Sequence, residues 1–169
     1  MTEISEITKS LIKTVKICSI LHAVTVILLL IFSGASLVTL GISVTSGSDL
    51  TTVCHLLISS ILVIVMLSIL AKILYEPIIG KSPFSSKQPK RFIELGITVF
   101  AKFAVDMLTP LFVASEFSQN IAINYAPLPN SGQILDINIT LLLFSLIFVS
   151  LSVVFKYGTL LQKLSDETV

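Results

Sequence analysis

The stretch that decides the fold is Ile17 to Val44, ICSILHAVTVILLLIFSGASLVTLGISV, which runs for 28 residues without an Asp, Glu, Lys or Arg. A helix needs about 20 apolar residues to cross the hydrocarbon core of a bilayer. The apolar region of a cleaved secretory signal is shorter, about 7–15 residues. We therefore interpret this stretch as an uncleaved membrane helix, although Ser33-Gly34-Ala35 resembles a cleavage site.

Three further apolar stretches follow, and they predict a single domain with four membrane spans. We place the spans at about 17–42, 52–75, 92–113 and 137–155, with a connection at 76–91 and a longer loop at 114–136. The composition agrees, because 54% of the 169 residues are hydrophobic and only 12% are charged. Soluble proteins carry roughly 25% charged residues. Lipid is the expected solvent for such a chain.

The positive charges are distributed unevenly between the predicted connections. Every Lys and Arg except Lys102 lies in the N-terminal tail, in or next to the connection 76–91, or in the C-terminal tail. The turn at 46–49 and the loop at 115–136 contain none. Lysine and arginine collect on the cytoplasmic side of membrane proteins. The expected fold is an all-α bundle of four antiparallel transmembrane helices with both termini in the cytoplasm and 114–136 outside.

Two further features concern the first helix. Residues 1–16 place apolar side chains three and four positions apart, which predicts a short amphipathic helix lying at the membrane surface ahead of the first span. Small residues in the outer half of that span predict a close approach of a neighbouring helix. These residues are Ser33, Gly34, Ala35, Ser36 and Gly41.

Lys102 and Asp106 lie inside the predicted third span. Each charge alone costs about 2.5–3.5 kcal/mol at the centre of a membrane helix. Their i,i+4 spacing puts them on one helix face, where they can neutralise each other. One interpretation is a self-paired charge that fixes helix packing, and the other is a proton or ion relay near the bilayer midplane. A relay needs further titratable groups, and His22 is the additional member that the sequence suggests.

The remaining chemistry is sparse. Nucleophiles, bases and metal ligands are not grouped in any pattern typical of catalysis, and phosphate-binding glycine loops are absent. We therefore predict a protein that is not an enzyme and needs no cofactor and no metal. The net charge of +1, without a basic stripe, argues against direct binding of nucleic acid.

Two segments carry a resemblance to a known family. Pro83-Phe84-Ser85 followed by Lys90-Arg91-Phe92 resembles the "Pro-Phe-Thr/Ser … Lys-Arg-Leu" stretch of small bacterial inner-membrane proteins known as the domain of unknown function 2975 family. The tail, Phe155-Lys156-Tyr157-Gly158, Leu161-Gln162 and Asp166-Glu167-Thr168-Val169, resembles the family's "Phe-x-x-Gly-x-x-Leu-Gln-x-x-x-Asp-x-Thr-Val" ending. Pro89 departs from the first pattern, and the Lys102/Asp106 pair is not part of the family's pattern.

The resemblance implies a four-span fold, a location in the bacterial inner membrane and a link to regulation. Members are often encoded beside a small helix-turn-helix regulator, which makes such a regulator the expected cytoplasmic partner. Because both motifs lie at the cytoplasmic face, we expect them to be spatial neighbours, with Lys87, Lys90 and Arg91 either pairing with Asp166 and Glu167 or contacting anionic lipid. The expected contact residues for a partner or lipid are Pro83, Phe84, Lys87, Lys90, Arg91, Gly158, Gln162, Asp166 and Glu167.

Three functions remain open at this point. The first is a non-enzymatic regulatory or interaction protein that binds a partner through its cytoplasmic face. The second is a small transporter or channel subunit that uses Lys102 and Asp106, and the third is a membrane-embedded toxin-immunity protein that acts through the loop at 114–136. The bilayer is a partner in all three, and assembly into a homo-oligomer stays open.

Overall fold

A computed structural model describes residues 2–48, 50–82, 84–113, 121–124 and 135–167, so Pro83, the final two residues and most of the loop at 114–136 lie outside the described residues. The elements are α1 (Thr2–Thr45), α2 (Leu50–Ile78), α3 (Gln88–Val113), β1 (Ile121–Asn124), β2 (Leu135–Asn138) and α4 (Ile139–Glu167). β1 and β2 pair in parallel, with Ile121 opposite Leu135. The described residues thus form four helices and two short strands. β1 and the first half of β2 lie in the stretch predicted as a loop, and the second half of β2 takes the first two positions of the predicted fourth span.

Among the described residues, three helices are long and apolar enough to cross a membrane, which confirms the coarse prediction of an all-helical fold with helices of spanning length. They are Lys9–Thr45, Leu50–Ile78 and Ile139–Glu167. α3 is not among them on the residues whose side chains the structure describes. The third span therefore remains a prediction.

α3 is instead the central helix. α1 packs against α2, α2 against α3 and α3 against α4, while no contact of similar extent joins α1 to α4 among the described residues. Most of the buried apolar side chains belong to α3, namely Phe92, Leu95, Val99 and Phe103. A helix with protein on two sides tolerates more polar residues than one surrounded by lipid, which explains why α3 is the least hydrophobic of the predicted spans.

α3 and α4 approach closely at a glycine. A Cβ atom added at Gly96 would lie 2.9 Å from Val149 Cγ2 and 3.2 Å from the Ser145 carbonyl oxygen. The Ser145 hydroxyl donates to the Gly96 carbonyl over 3.0 Å, and seven residues away on each helix the Ser152 hydroxyl donates to the Pro89 carbonyl over 2.7 Å. Small residues and interhelical serine bonds are the usual means of association in membranes. Of the small residues predicted for this role in α1, Gly34 and Gly41 face open space, whereas Ser36 is buried.

The ends of the helices depart from the prediction in two places. α1 continues from Thr2 to Thr45 without interruption, so no separate surface helix precedes the span; proline is absent from this stretch and glycine first occurs at Gly34, so nothing local ends the helix earlier. α4 continues to Glu167, so the predicted polar tail is helical.

Glycines end α1 and α2. Gly47 and Gly80 adopt φ of 71° and 74°, and the amides of Ser48 and Lys81 bond back to the carbonyls of Ser43 and Glu76. This is the Schellman arrangement, in which a left-handed residue closes the helix.

Candidate functional site

A buried ion pair joins α2 to α3 at the end of the helices that bears the connection 76–91. Arg91 Nη1 lies 2.9 Å from Glu76 Oε1, and the side chain of Glu76 is only 5% exposed. The Ser85 hydroxyl donates to the other carboxylate oxygen over 2.8 Å, and Arg91 Nη1 also donates to the Lys72 carbonyl over 2.9 Å. The Glu76 carboxylate therefore receives donors at both oxygens, which is what a buried charge requires.

Pro77 explains a second link between the same helices. A proline has no amide hydrogen, so Pro77 cannot bond the carbonyl of Ile73 four residues earlier. The Gln88 side chain donates to that carbonyl over 3.2 Å. The other amide atom, Gln88 Oε1, is buried and has no partner within the described residues. The side chains of Ser85 and Gln88 are thus both bonded to α2.

The two motifs that carry the family resemblance come together, although through aromatic packing rather than charge. The Phe84 ring lies so close to Gly158 that an added Cβ atom would be 2.5 Å from Cδ1. Phe84 also packs on Phe155 with ring centroids 5.6 Å apart, and Phe155 stacks on Phe92 at 4.7 Å. The Ser82 hydroxyl donates to Gln162 Oε1 over 2.9 Å.

Of the two alternatives for the basic cluster, ion pairs with the tail are not found among the described residues. Arg91 pairs with Glu76 rather than with Asp166 or Glu167. Lys87 and Lys90 line a recess of about 380 Å³ together with residues of α2 and α3. Asp166 lines a separate recess of about 190 Å³ together with Ser82 and Gln162. The cause is the order of the helices, because α2 flanks the basic face of α3 and brings its own carboxylate.

The predicted pair of Lys102 and Asp106 forms within α3, and a histidine joins it. Lys102 Nζ donates to both carboxylate oxygens of Asp106. His55 Nε2, from α2, lies 3.4 Å from Asp106 Oδ1. The side chains of Lys102 and Asp106 are 15% and 26% exposed. Asp106 is in the last third of α3 and His55 in the first turns of α2, so the cluster lies toward one end of the helices rather than at their middle.

His22 does not belong to this cluster. Its Nδ1 donates to the Ala71 carbonyl over 3.0 Å, and its ring lies 5.5 Å from the ring of Tyr75. His22 therefore ties α1 to α2 near the opposite end of α2 from His55. The prediction that His22 extends the Lys102/Asp106 pair is corrected, since that position is taken by His55.

Two residues of this site were missed from the sequence. Glu76 was regarded only as the first residue of a connection. It directly precedes Pro77 near a helix end, and a proline there leaves a carbonyl unbonded close to the charge. That combination was the available signal. His55 is the second of these residues. No spacing within α2 links it to Asp106, so only the packing of α2 on α3 reveals the contact.

Comparison of the chain with protein-family models, with curated proteins and with solved structures finds no match in any of the three. The family resemblance therefore rests on the two motifs themselves.

Proposed function

We propose that this chain is a non-enzymatic membrane protein of the bacterial inner membrane that binds a regulatory protein partner through its cytoplasmic face. The face consists of the connection at 79–87 and the last part of α4, from Gly158 to Glu167. The observation that carries the proposal is the way these two parts are fastened together by Phe84 on Gly158 and Ser82 on Gln162. These contacts hold the connection in a defined position on α4.

The proposed topology has four antiparallel spans with both termini in the cytoplasm. The contacts between helices support it, because residue numbers rise on one helix as they fall on its neighbour. His55 meets Asp106 while Glu76 meets Arg91, and the Gly96–Ser145 contact is followed by Pro89–Ser152. The charge distribution supplies the sidedness.

The length of α4 supports a segment that projects beyond the bilayer. Its 29 residues span about 43 Å at about 1.5 Å per residue, against about 30 Å for the hydrocarbon core. The excess corresponds to roughly the last nine residues. Exposed apolar side chains continue into this part at i, i+3, i+4 and i+7, and they are Tyr157, Leu160, Leu161 and Leu164. A helical stripe of this spacing is a common way to bind a groove on another protein.

Crosslinking in the native cell membrane tests the proposal. We expect the wild-type chain to crosslink to one cytoplasmic protein, identified by mass spectrometry and then purified for a direct binding measurement. The variant Leu160→Gln with Leu161→Gln removes the centre of the stripe and should weaken binding at least tenfold, since buried apolar anchors dominate such interfaces.

The matched control is Leu11→Gln with Ile12→Gln, which removes a comparably exposed apolar pair from α1. It should leave binding unchanged. Equal loss in both variants, or a wild-type chain that crosslinks only to lipid, would contradict the proposal.

A second function has a specific observation in its favour. His55 adds a third titratable group to Lys102 and Asp106, and these groups come from two helices. Clusters of this kind in membranes mark ion or proton pathways. A transporter would move protons or ions in proteoliposomes and lose that flux in Asp106→Asn, whereas a chain without flux would leave the cluster a packing feature. The immunity function rests on the loop at 114–136, most of which lies outside the described residues.

A further inference from the structure

We propose that the recess between α2 and α3 binds the phosphate headgroup of an anionic phospholipid. The recess has a volume of about 380 Å³. Its lining includes four cationic side chains, Lys72, Lys87, Lys90 and Arg91, against one carboxylate, Glu94. A net positive recess between membrane helices on the cytoplasmic side is the arrangement that binds anionic headgroups. The inference rests on the proposed function only for its topology.

Three of the four cations of the recess have no ion-pair partner among the described residues, while the fourth, Arg91, is paired with Glu76 and keeps donors to spare. Lys72, Lys87 and Lys90 form no ion pair with any other described residue. The side-chain hydrogen bonds of Arg91 within the described residues engage Nη1 alone. A guanidinium carries five N–H donors, so Nε and Nη2 remain available, while the bonds to Glu76 and to the Lys72 carbonyl hold the group in place. The site is therefore preorganised for an anion.

The surface beside the recess favours a lipid over free phosphate. Ile69 forms part of the recess itself. Along the same face of α2, Val65 and Ile61 are exposed and lie one and two turns further into the predicted span. Ile97 is exposed on α3 one turn beyond Glu94. A phospholipid whose phosphate occupies the recess would lay its acyl chains on these side chains, which a soluble phosphate cannot do.

Native mass spectrometry of the full chain in detergent, titrated with phosphatidylglycerol and with phosphatidylcholine, tests the site. We expect phosphatidylglycerol to bind in preference. Lys72→Gln with Lys90→Gln should weaken that binding about 25-fold, because each basic residue near an anionic surface contributes a factor of about five. The matched control, Lys81→Gln with Lys163→Gln, removes two exposed lysines outside the recess and should change binding less than about twofold. Lys90→Arg should retain binding.

Three outcomes would overturn the proposal. Equal loss in both double variants would mean a general attraction between charges, and no preference for phosphatidylglycerol would mean no site. Displacement of the lipid by inorganic phosphate would identify a soluble anion as the ligand. Circular dichroism on each variant shows that the helices are retained. The assay contains no protein partner, so it succeeds or fails independently of the crosslinking experiment.

Discussion

The two charged clusters of this molecule are built differently. In the cluster of Glu76, Ser85 and Arg91, the ion pair crosses from α2 to α3, and each carboxylate oxygen has its own donor. In the other cluster, the ion pair of Lys102 and Asp106 stays within α3, and the link to α2 is one contact of 3.4 Å to His55. The first arrangement fixes the position of one helix on another, whereas the second mainly neutralises its own charge.

This difference distinguishes a cluster that stabilises the fold from one that can take part in a function. A carboxylate whose partners lie on another helix cannot lose them without loosening the fold. A self-neutralised pair that also contacts a histidine can change partners without moving a helix. The Glu76 cluster is therefore expected to be structural, and the Asp106 cluster is the one able to have a transport role.

The largest effect is expected from Glu76→Gln. Removal of one partner of a buried ion pair leaves the other uncompensated, which costs about 3 kcal/mol in the free energy of unfolding. Unfolding in mixed detergent micelles, followed by circular dichroism, measures the loss. Glu94→Gln, a change of an exposed carboxylate on α3, should cost less than about 0.5 kcal/mol. The double variant Glu76→Gln with Arg91→Gln should recover part of the loss. If Glu76→Gln cost no more than Glu94→Gln, the Glu76 cluster would be no more structural than the Asp106 cluster.

A smaller effect is expected at the close contact between α3 and α4, which neither charged cluster takes part in. Gly96→Ala places a methyl group against Val149 and the backbone of α4, and this overpacking should cost about 2 kcal/mol. Gly34→Ala is the matched control, because its Cβ atom meets open space and alanine favours a helix by up to about 1 kcal/mol. Two variants of equal stability in the same unfolding measurement would refute the close approach of α3 and α4.

The smallest effect is expected at the self-paired charge. Lys102→Ala leaves Asp106 with His55 alone and should cost about 1 kcal/mol. The double variant Lys102→Ala with Asp106→Ala removes both charges and should be more stable than the single variant. Thermal unfolding in detergent compares the three chains. A double variant no more stable than Lys102→Ala would show that the two charges do not compensate each other.

The parts of this fold that could be predicted are those that depend on the spacing of residues within one helix. Apolar stretches identify the helices, and an i,i+4 spacing identifies the pair of Lys102 and Asp106 because both lie on one helix. Pro89 is the second residue of α3, in the first turn of the helix, where a proline is tolerated because the amides have no intrahelical acceptor.

The parts that could not be predicted depend on how the helices are placed against one another. Arg91 had carboxylates available in α2 and in the tail, and only the order of packing decides for Glu76. The role of Gly96 requires knowing that Ser145 faces it. The docking of Phe84 on Gly158 joins the connection to α4, and no local pattern contains that contact.

The central claim is the sidedness of the chain, and reporter fusions test it most directly. Green fluorescent protein fluoresces when held in the cytoplasm, and alkaline phosphatase is active only outside it. If both termini lie in the cytoplasm, we expect fluorescence for a fusion at Val169 and for an insertion beside Lys81. We expect phosphatase activity for an insertion within 125–134. Phosphatase activity at Val169 or beside Lys81, or a chain that stays in solution without detergent, would contradict it.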